Sequence, residues 1–502
     1  MLRNPRPVFA RASLFVVVSL LTACIDSQGI APQANRLDAQ HLDPGSAIRS
    51  AEREAAWPDA QWWRVYADPQ LDGWMDEALA GSPSLAMAAA RVRQARALAG
   101  AVEAAEAPQV DLEANLQHKR WPHDFFYGPG ELARTTTWNN TSLLGFSYDL
   151  DLWGRERSRS HQALDQIRVA VAEARVAALE LQGNIMRSYI HLALLFAEQD
   201  IAQASLAQQE QILHLAKQRL SDGIGTRLEI SRAEAALPET HRQIDSLNES
   251  IALVRHQLAM LAGKGPGEGE RLLRPRLALH RLPGLPAQLP LELLGRRPDL
   301  VASRWQVAAE ARGIEVAKAG FYPNINLLGG LGTNATQGSM LDFLRYDKMT
   351  YGFGPALSLP VFDGGLRRGE LGAAAAGYDL AVEHYNQTLL RALQEVADAL
   401  VRQASLHQQQ QFAAEAVAAA QRTCDLALLA QQRGLTSFDT VLEAQPLLFQ
   451  RQLKQQQVRA AQLSAQADLL LALGGGVLPE PGGPSDASLA PREPALRFLP
   501  KP

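Results

Sequence analysis

The stretch Gln-Val-Asp-Leu-Glu-Ala-Asn-Leu-Gln at 109–117 alternates without a fault. Val110, Leu112, Ala114 and Leu116 fall on one side, and Asp111, Glu113, Asn115 and Gln117 on the other. A period of two predicts a strand with one apolar and one polar face. A second stretch, over 138–150, sets Leu144, Phe146, Tyr148 and Leu150 against Gly145, Ser147 and Asp149. Much later in the chain Ile325, Leu327 and Leu331 alternate with Asn324, Asn326 and small residues. A fourth stretch sets Tyr351, Phe353, Leu357 and Leu359 against Gly352, Gly354, Ala356 and Ser358. Four strands of about ten residues result, the length that crosses a bilayer when tilted. Soluble half-buried sheets alternate in the same way, so the pattern alone leaves both settings open. Trp138, Tyr148, Tyr351 and Phe353 are candidates for interfacial girdles.

A different period fills the space between strands. Over 160–220 there is no proline and only one glycine, Gly183, which predicts a helix of about 60 residues reaching roughly 90 Å at 1.5 Å per residue. Leu164, Ile167, Val171, Ala174, Ala178, Leu181, Ile185, Ser188, Leu192 and Leu195 follow three-four spacing, a coiled-coil seam. The pattern returns over 369–433, and shorter helices follow over 226–263 and 437–473, with Pro238 and Pro446 expected to bend them. Helices this long need neighbours alongside, because isolated propensity is marginal.

The two sets of elements match in order. Pro83 and Pro298 lie 215 apart, as do Pro108 and Pro323, while Gly223 and Gly434 lie 211 apart, as do Gly263 and Gly474. An internal repeat is therefore expected, each copy reading helix, strand, strand, long helix, tight turn, helix. The chain divides into a signal segment 1–23, an N-terminal segment 24–58, repeat 1 over 59–265, a Gly/Pro/Leu-rich linker 266–290, repeat 2 over 291–476, and a tail 477–502 with the composition of a disordered end.

The 502 residues carry a net charge of −4, which points to no nucleic-acid partner. Arg3, Arg6 and Arg11 precede a short apolar run that ends Leu21-Thr22-Ala23-Cys24, the layout of a secretory signal. Leu-Thr-Ala-Cys resembles the lipobox of bacterial lipoproteins, in which the cysteine takes a diacylglyceryl group, so Cys24 is expected to be a lipid attachment point. An ordinary cleaved signal with an incidental cysteine is the alternative. Cys424, the only other cysteine, reads as a small buried residue, and neither a disulfide framework nor a metal site is expected. No later run of apolar residues is long enough for a membrane-spanning helix, so a crossing has to be a barrel. Four strands cannot close one, whereas three chains would supply twelve.

No catalytic motif is apparent. The eleven histidines are scattered, and Gly-Gly-Leu-Gly-Thr-Asn at 329–334 lacks the following helix that a dinucleotide site requires. An enzyme is not expected, nor any cofactor beyond a covalent lipid on Cys24.

Together the lipobox, the opening Trp-Trp-Arg-Val-Tyr-Ala-Asp-Pro-Gln-Leu at 62–71, the doubled strand pairs, the Arg-Arg-Pro-Asp-Leu motif at 296–300 and the glycine-turned helix tips resemble the TolC-like outer-membrane efflux channels, in their lipoprotein branch. That resemblance implies a mostly α fold with a small β part: a trimeric, twelve-stranded transmembrane β-barrel continuing into a long periplasmic α-helical barrel. It implies the exit duct of a tripartite pump, with a periplasmic adaptor and an inner-membrane transporter as partners. In the family, a carboxylate in the second repeat lines a constriction at the far helix tips. Glu443 matches that position, Asp439 lies four residues before it, and Arg232 occupies the equivalent place in repeat 1. Asp439, Glu443, Arg227 and Arg232 are therefore candidate aperture residues, with salt bridges between neighbouring helices holding the resting aperture. Arg219, Gly223, Gly225, Arg433, Gly434 and Thr436 mark the tips expected to meet the adaptor. The rival reading is a lipid-anchored periplasmic coiled-coil adaptor or scaffold that does not span the membrane. It leaves four alternating strands in two matched pairs unexplained.

Overall fold

The computed structural model describes residues 27–51, 57–123, 131–279, 293, 295–476 and 488–493. Cys24 and the signal segment lie outside them, as do 280–290 of the linker and most of the tail.

The elements are α1 (Gly45–Ala51), α2 (Pro69–Gly81), α3 (Pro83–Ala104), β1 (Gln109–Arg120), β2 (Thr136–Asp149), α4 (Arg155–Ser221), α5 (Arg227–Leu261), α6 (Pro266–Glu270), α7 (Pro298–Ala319), β3 (Asn324–Ala335), β4 (Met349–Ser358), α8 (Leu366–Gln432) and α9 (Phe438–Ala472). Short 3-10 turns stand at Ala39–His41, Trp62–Tyr66, Asp342–Leu344 and Tyr346–Lys348. The protein is mostly helical with one small antiparallel sheet in the order β1-β2-β3-β4. Helices of the two halves have equal lengths: 22 residues for α3 and α7, 67 for α4 and α8, 35 for α5 and α9. Among the described residues no helix is long and apolar enough to cross a membrane.

The ladders run without a bulge, so register assigns every strand residue to a face. Val110 pairs with Phe146, Phe146 with Gly329, and Gly329 with Phe353. One step along, Leu112, Leu144, Leu331 and Tyr351 line up, completing an apolar face. The opposite face carries Asp111, Glu113, Asn115, Gln117, Asn326 and the glycines Gly145, Gly330, Gly352 and Gly354, with Leu143 and Leu328 as its apolar exceptions. Except around Asn140 and Ala335 the faces are open: Leu112 is 71% exposed, Tyr351 83% and Phe353 75%. Gly329 sits between Phe146 and Phe353, whose rings cover the bare backbone. β1 and β4 are edges with no partner among the described residues.

Long helices pack in pairs. α4 and α5 form one antiparallel hairpin, α8 and α9 the other, and α4 also touches α9. α7 lies between α4 and α8 and buries residues on most of its circumference, among them Leu300, Val301, Trp305, Val307, Ala308, Ala311 and Ile314. α3, of equal length, rests on α4 alone among the long helices and buries only Ala88 and Ala99. The lower part of the seam read on α4 holds, with Leu181, Ile185, Ser188, Leu192 and Leu195 buried. Its upper part does not: Leu164 is exposed, and Asp165, Val169 and Ala172 take the inner positions because α7 packs on that side of the helix.

Arg297, in the Arg-Arg-Pro-Asp-Leu motif, is the N-cap residue of α7. Its buried guanidinium bonds Asp299 at 2.6 Å, Glu395 of α8 at 2.7 Å and the carbonyl of Ala472, the last residue of α9, at 3.1 Å. Burial opposes its charge, but the two carboxylates more than compensate and hold its pKa above the ordinary value. One side chain thus ties three helices.

Described parts of both terminal segments dock on the helices. The N-terminal segment is clasped along α8: the Asp379 carboxylate accepts from the amides of Gln33 and Ala34, and Asn386 bonds the amide of Leu37 and the carbonyl of Asn35. Within the tail read as disordered, 488–493 is docked. Leu489 is fully buried, its carbonyl accepts from Tyr378 Oη, and Arg492 N donates to Glu315. One apolar residue, two bonds to the backbone and the ion pair of Glu493 with Lys318 hold this stretch, which composition does not register. The linker likewise folds at its start, where Leu272 and Leu277 enter the core beneath Tyr66.

Candidate functional site: the tips of the helical hairpins

Both hairpins turn at a glycine in the left-handed region. Gly223 has φ +76° and its amide bonds Leu220 O, while Ile224 N reaches back to Arg219 O at 3.0 Å. Gly434, at φ +71°, bonds Gln431 O, and Leu435 N reaches Ala430 O at 2.9 Å. These backward bonds satisfy carbonyls that a helix end otherwise leaves open. Gly225 is required for a different reason: a Cβ there would stand 2.8 Å from Leu220 N. Thr226 starts α5 with a capping box, its hydroxyl accepting from Glu229 N while Glu229 reaches back to Thr226 N. Ser437 starts α9 without a side-chain cap, and Thr436 instead bonds Thr440 at 2.8 Å, hydroxyl to hydroxyl.

Of the predicted tip residues, Arg433, Gly434 and Gly223 are exposed, while Thr436 and Gly225 are half-buried. Arg219 turns inward on its own loop, donating to Ile224 O at 3.3 Å with its Nε 3.9 Å from Glu229. Its guanidinium braces the turn. Sequence reasoning enclosed Ile224 and Leu435 within the tips without singling them out; they project with 66% and 76% of their surface open. Their common place, directly after each turning glycine, was the available signal.

The charges behind the tips sort into one pair and two single residues. Arg232 of α5 and Asp439 of α9 form an ion pair, Nη1 to Oδ1 at 2.5 Å, with each side chain about half exposed. Glu443, the repeat equivalent of Arg232, lies one helical turn beyond Asp439 on α9 and is not the partner that Arg232 meets. Arg227 and Glu443 are exposed, and neither has an ion-pair partner among the described residues. Asp439 also lies in the first turn of α9, where the helix dipole favours a carboxylate.

Beneath the charges the hairpins share a small core of Ile212, Ala216, Ala233, Ala420, Cys424, Ala427, Val441, Ala444 and Leu448. Cys424 is fully buried, and burial raises its thiol pKa, the state of an inert small residue. A cavity of about 140 Å³ adjoins this core between α4, α5 and α9, with Gln209, Thr240, Gln445 and Phe449 on its wall. The site has charged rims, small apolar contacts and no group of His, Cys, Asp or Glu able to hold a metal among the described residues. Each contact is small and the linking ion pair is solvated, so the two hairpins are held together only weakly at the tips.

The chain matches the family model for outer membrane efflux proteins twice, over residues 74–264 and 289–475. It is 48% identical over 377 residues to the fusaric acid resistance protein FusA of Burkholderia cepacia, covering 75% of this chain and 71% of that one. The multidrug resistance outer membrane protein MdtP of Shigella flexneri is 30% identical over 431 residues, covering 84% of this chain and 87% of its own. The crystal structure of the outer membrane protein VceC from Vibrio cholerae superimposes with a TM-score of 0.78 at 31% identity, covering 84% of this chain and 100% of that one. The outer-membrane channel OprN gives 0.77 at 25% identity, covering 88% and 99%. The chain therefore belongs to the outer membrane efflux protein family.

Proposed function

We propose that this protein is the exit duct of a tripartite efflux pump, a closed ring of three copies that conducts small molecules passively across the outer membrane. The observation that carries the reading is the sheet: an exposed apolar face, an exposed polar face and two unpaired edges. A lone sheet of this kind is unstable in water and incomplete in lipid, where every edge group needs a partner. Pairing β4 of one copy with β1 of the next removes both edges and turns the apolar face to lipid. The polar face, with Asp111, Glu113, Asn115 and Gln117, then lines the lumen.

The helices support the same ring. If the halves are a duplication, α3 stands to α4 as α7 stands to α8, and α3 lacks the second neighbour that α7 finds in the other half. Its exposed Met87 and Leu98 await one. α8 has an exposed stripe of Leu380, Leu390, Val401 and Phe412 spaced ten to eleven residues apart, the period that keeps one helix face toward one partner. Placing α8 of one copy against α3 of the next covers both.

Lipid on Cys24 would tether the segment that is clasped along α8 through Asp379 and Asn386. An adaptor protein would meet the tips at Ile224, Leu435 and Arg433, and an inner-membrane transporter would supply energy and choose cargo, since the duct offers no chemistry of its own. FusA being a fusaric acid resistance protein, fusaric acid is the first cargo to test. Replacing Cys24 with Ser separates this reading from the anchored scaffold. A duct stays with the membrane after an alkaline carbonate wash and conducts ions in planar bilayers. A protein held only by its lipid is released and conducts nothing.

A further inference from the structure

The connection between β3 and β4 does not arch over the end of the sheet but folds back onto its apolar face. Asn140 and Ala335 pair across the ladder on that face, near the ends of β2 and β3 farthest from the helices. Both are covered, at 0% and 3% exposure, whereas the next residue on the polar face, Asn334, is exposed. The cover is the connection itself. Asn140 Nδ2 donates to Met340 O at 2.7 Å, the turn over Asp342–Leu344 packs on β2 and β3, and Phe343 is buried to 8%.

The connection has a built shape. Asp342 receives the amide and hydroxyl of Ser339, both at 2.9 Å, and closes a 3-10 turn over Asp342–Leu344. Side chains three residues apart eclipse in such a turn, so with Phe343 directed at the sheet, Leu341 and Leu344 share the outward side. They are 59% and 67% exposed, and Tyr346 follows at 84%. Paired charges flank them, with Arg345 and Lys348 both on Asp347. The loop therefore presents an apolar ridge with no net charge. Trp138, on the same face of the sheet, packs at a tilt against His118, ring centroids 5.0 Å apart, and lies at the same end. From Asp149 to Asn140 the strand advances roughly 30 Å at about 3.3 Å per residue, which after tilting reaches the outer edge of a hydrocarbon core.

We propose that the segment 339–346 is an outer-leaflet anchor: it docks on the lipid-facing side of the barrel and inserts Leu341, Leu344 and Tyr346 at the boundary between acyl chains and headgroups. Its partner is membrane lipid. The ridge continues the apolar face that meets lipid, and an aromatic hydroxyl beside aliphatic side chains is the composition that such a boundary selects. The proposal rests on the barrel reading, and its test separates the two.

Full-length protein carrying Leu341→Cys or Leu344→Cys is spin-labelled in phospholipid bilayers, with the unsubstituted chain as blank and Phe353→Cys and Glu113→Cys as references for the apolar and polar faces. Collision with oxygen, which concentrates in lipid, is compared with collision with a water-soluble nickel chelate. The expected result is several-fold stronger relaxation by oxygen at 341 and 344, as at 353. Labels at 341 and 344 that follow 113 while 353 reads lipid would overturn the anchor and leave the barrel standing. Protection from both reagents would mean that polypeptide covers the loop, and would equally overturn it. Nickel access at 353 as well would remove the barrel and the anchor together.

Discussion

Arg232 and Asp439, 207 residues apart in sequence, meet at 2.5 Å and join the tip ends of α5 and α9, two helices that otherwise barely touch. A half-exposed pair of this kind contributes only about 0.2–1 kcal/mol. Its role is geometric, fixing how closely α5 and α9 stand at the tip. Charge reversal in Arg232→Glu is expected to raise single-channel conductance in planar bilayers, and adding Asp439→Arg to restore it. Unchanged conductance in Arg232→Glu would refute the latch.

Glu443 has the opposite character, exposed and without an ion-pair partner among the described residues. In the proposed duct its charge would be available to passing ions, whereas that of Asp439 is paired with Arg232. Glu443→Gln is predicted to lower cation preference, read as reversal potential in a salt gradient, more than Asp439→Asn does. Equal effects would show that the pair is open in the membrane.

The tip glycines differ in a measurable way. At Gly223 a methyl group has room, and only the positive φ opposes it, a cost of about 1–2 kcal/mol. At Gly225 the methyl group would press on Leu220 N and Arg219 C at 2.8 and 2.9 Å. Hydrogen exchange across the turn should accelerate modestly in Gly223→Ala and more strongly in Gly225→Ala. The reverse order would contradict the turn geometry.

Asp165 supplies a pH dependence. It is 5% exposed, and burial raises its pKa above the ordinary 3.8 although Arg168 and Arg312 pull it down. The folded state therefore binds the proton more tightly than the unfolded chain. The cost of the buried charge is present at neutral pH and is relieved as pH falls through the raised value. Asp165→Asn should raise the thermal midpoint at pH 7, with the advantage fading as the pH approaches 3.8. A midpoint lowered equally at both pH values would mean that the bond to Arg168 dominates.

Much of this fold is legible because two periods do not mix: Val110 to Leu116 alternates as only a strand can, and the proline-free stretch ending near Leu220 has no way to break. The turning glycines were legible for the same local reason. Leu164 was misplaced because an alanine-rich helix offers several equally apolar stripes, and the packing of α7 chooses among them. The partner of Arg232 was hidden because repeat equivalence relates positions across halves, while contact depends on how far one hairpin is offset from the other. The docking of Leu489 and of the segment clasped by Asp379 rests on backbone bonds, which leave no compositional trace.

The central claim is that β4 of one copy pairs with β1 of the next. The β2–β3 ladder sets Phe146 opposite Gly329, and matching the halves carries this pair to Leu357 and Ala114 of adjacent copies. Oxidation of membranes containing the double variant Ala114→Cys, Leu357→Cys measures it directly on a non-reducing denaturing gel. The account predicts a covalent trimer that neither single variant forms. A double variant that remains a monomer after oxidation, or stops at a dimer, would contradict it.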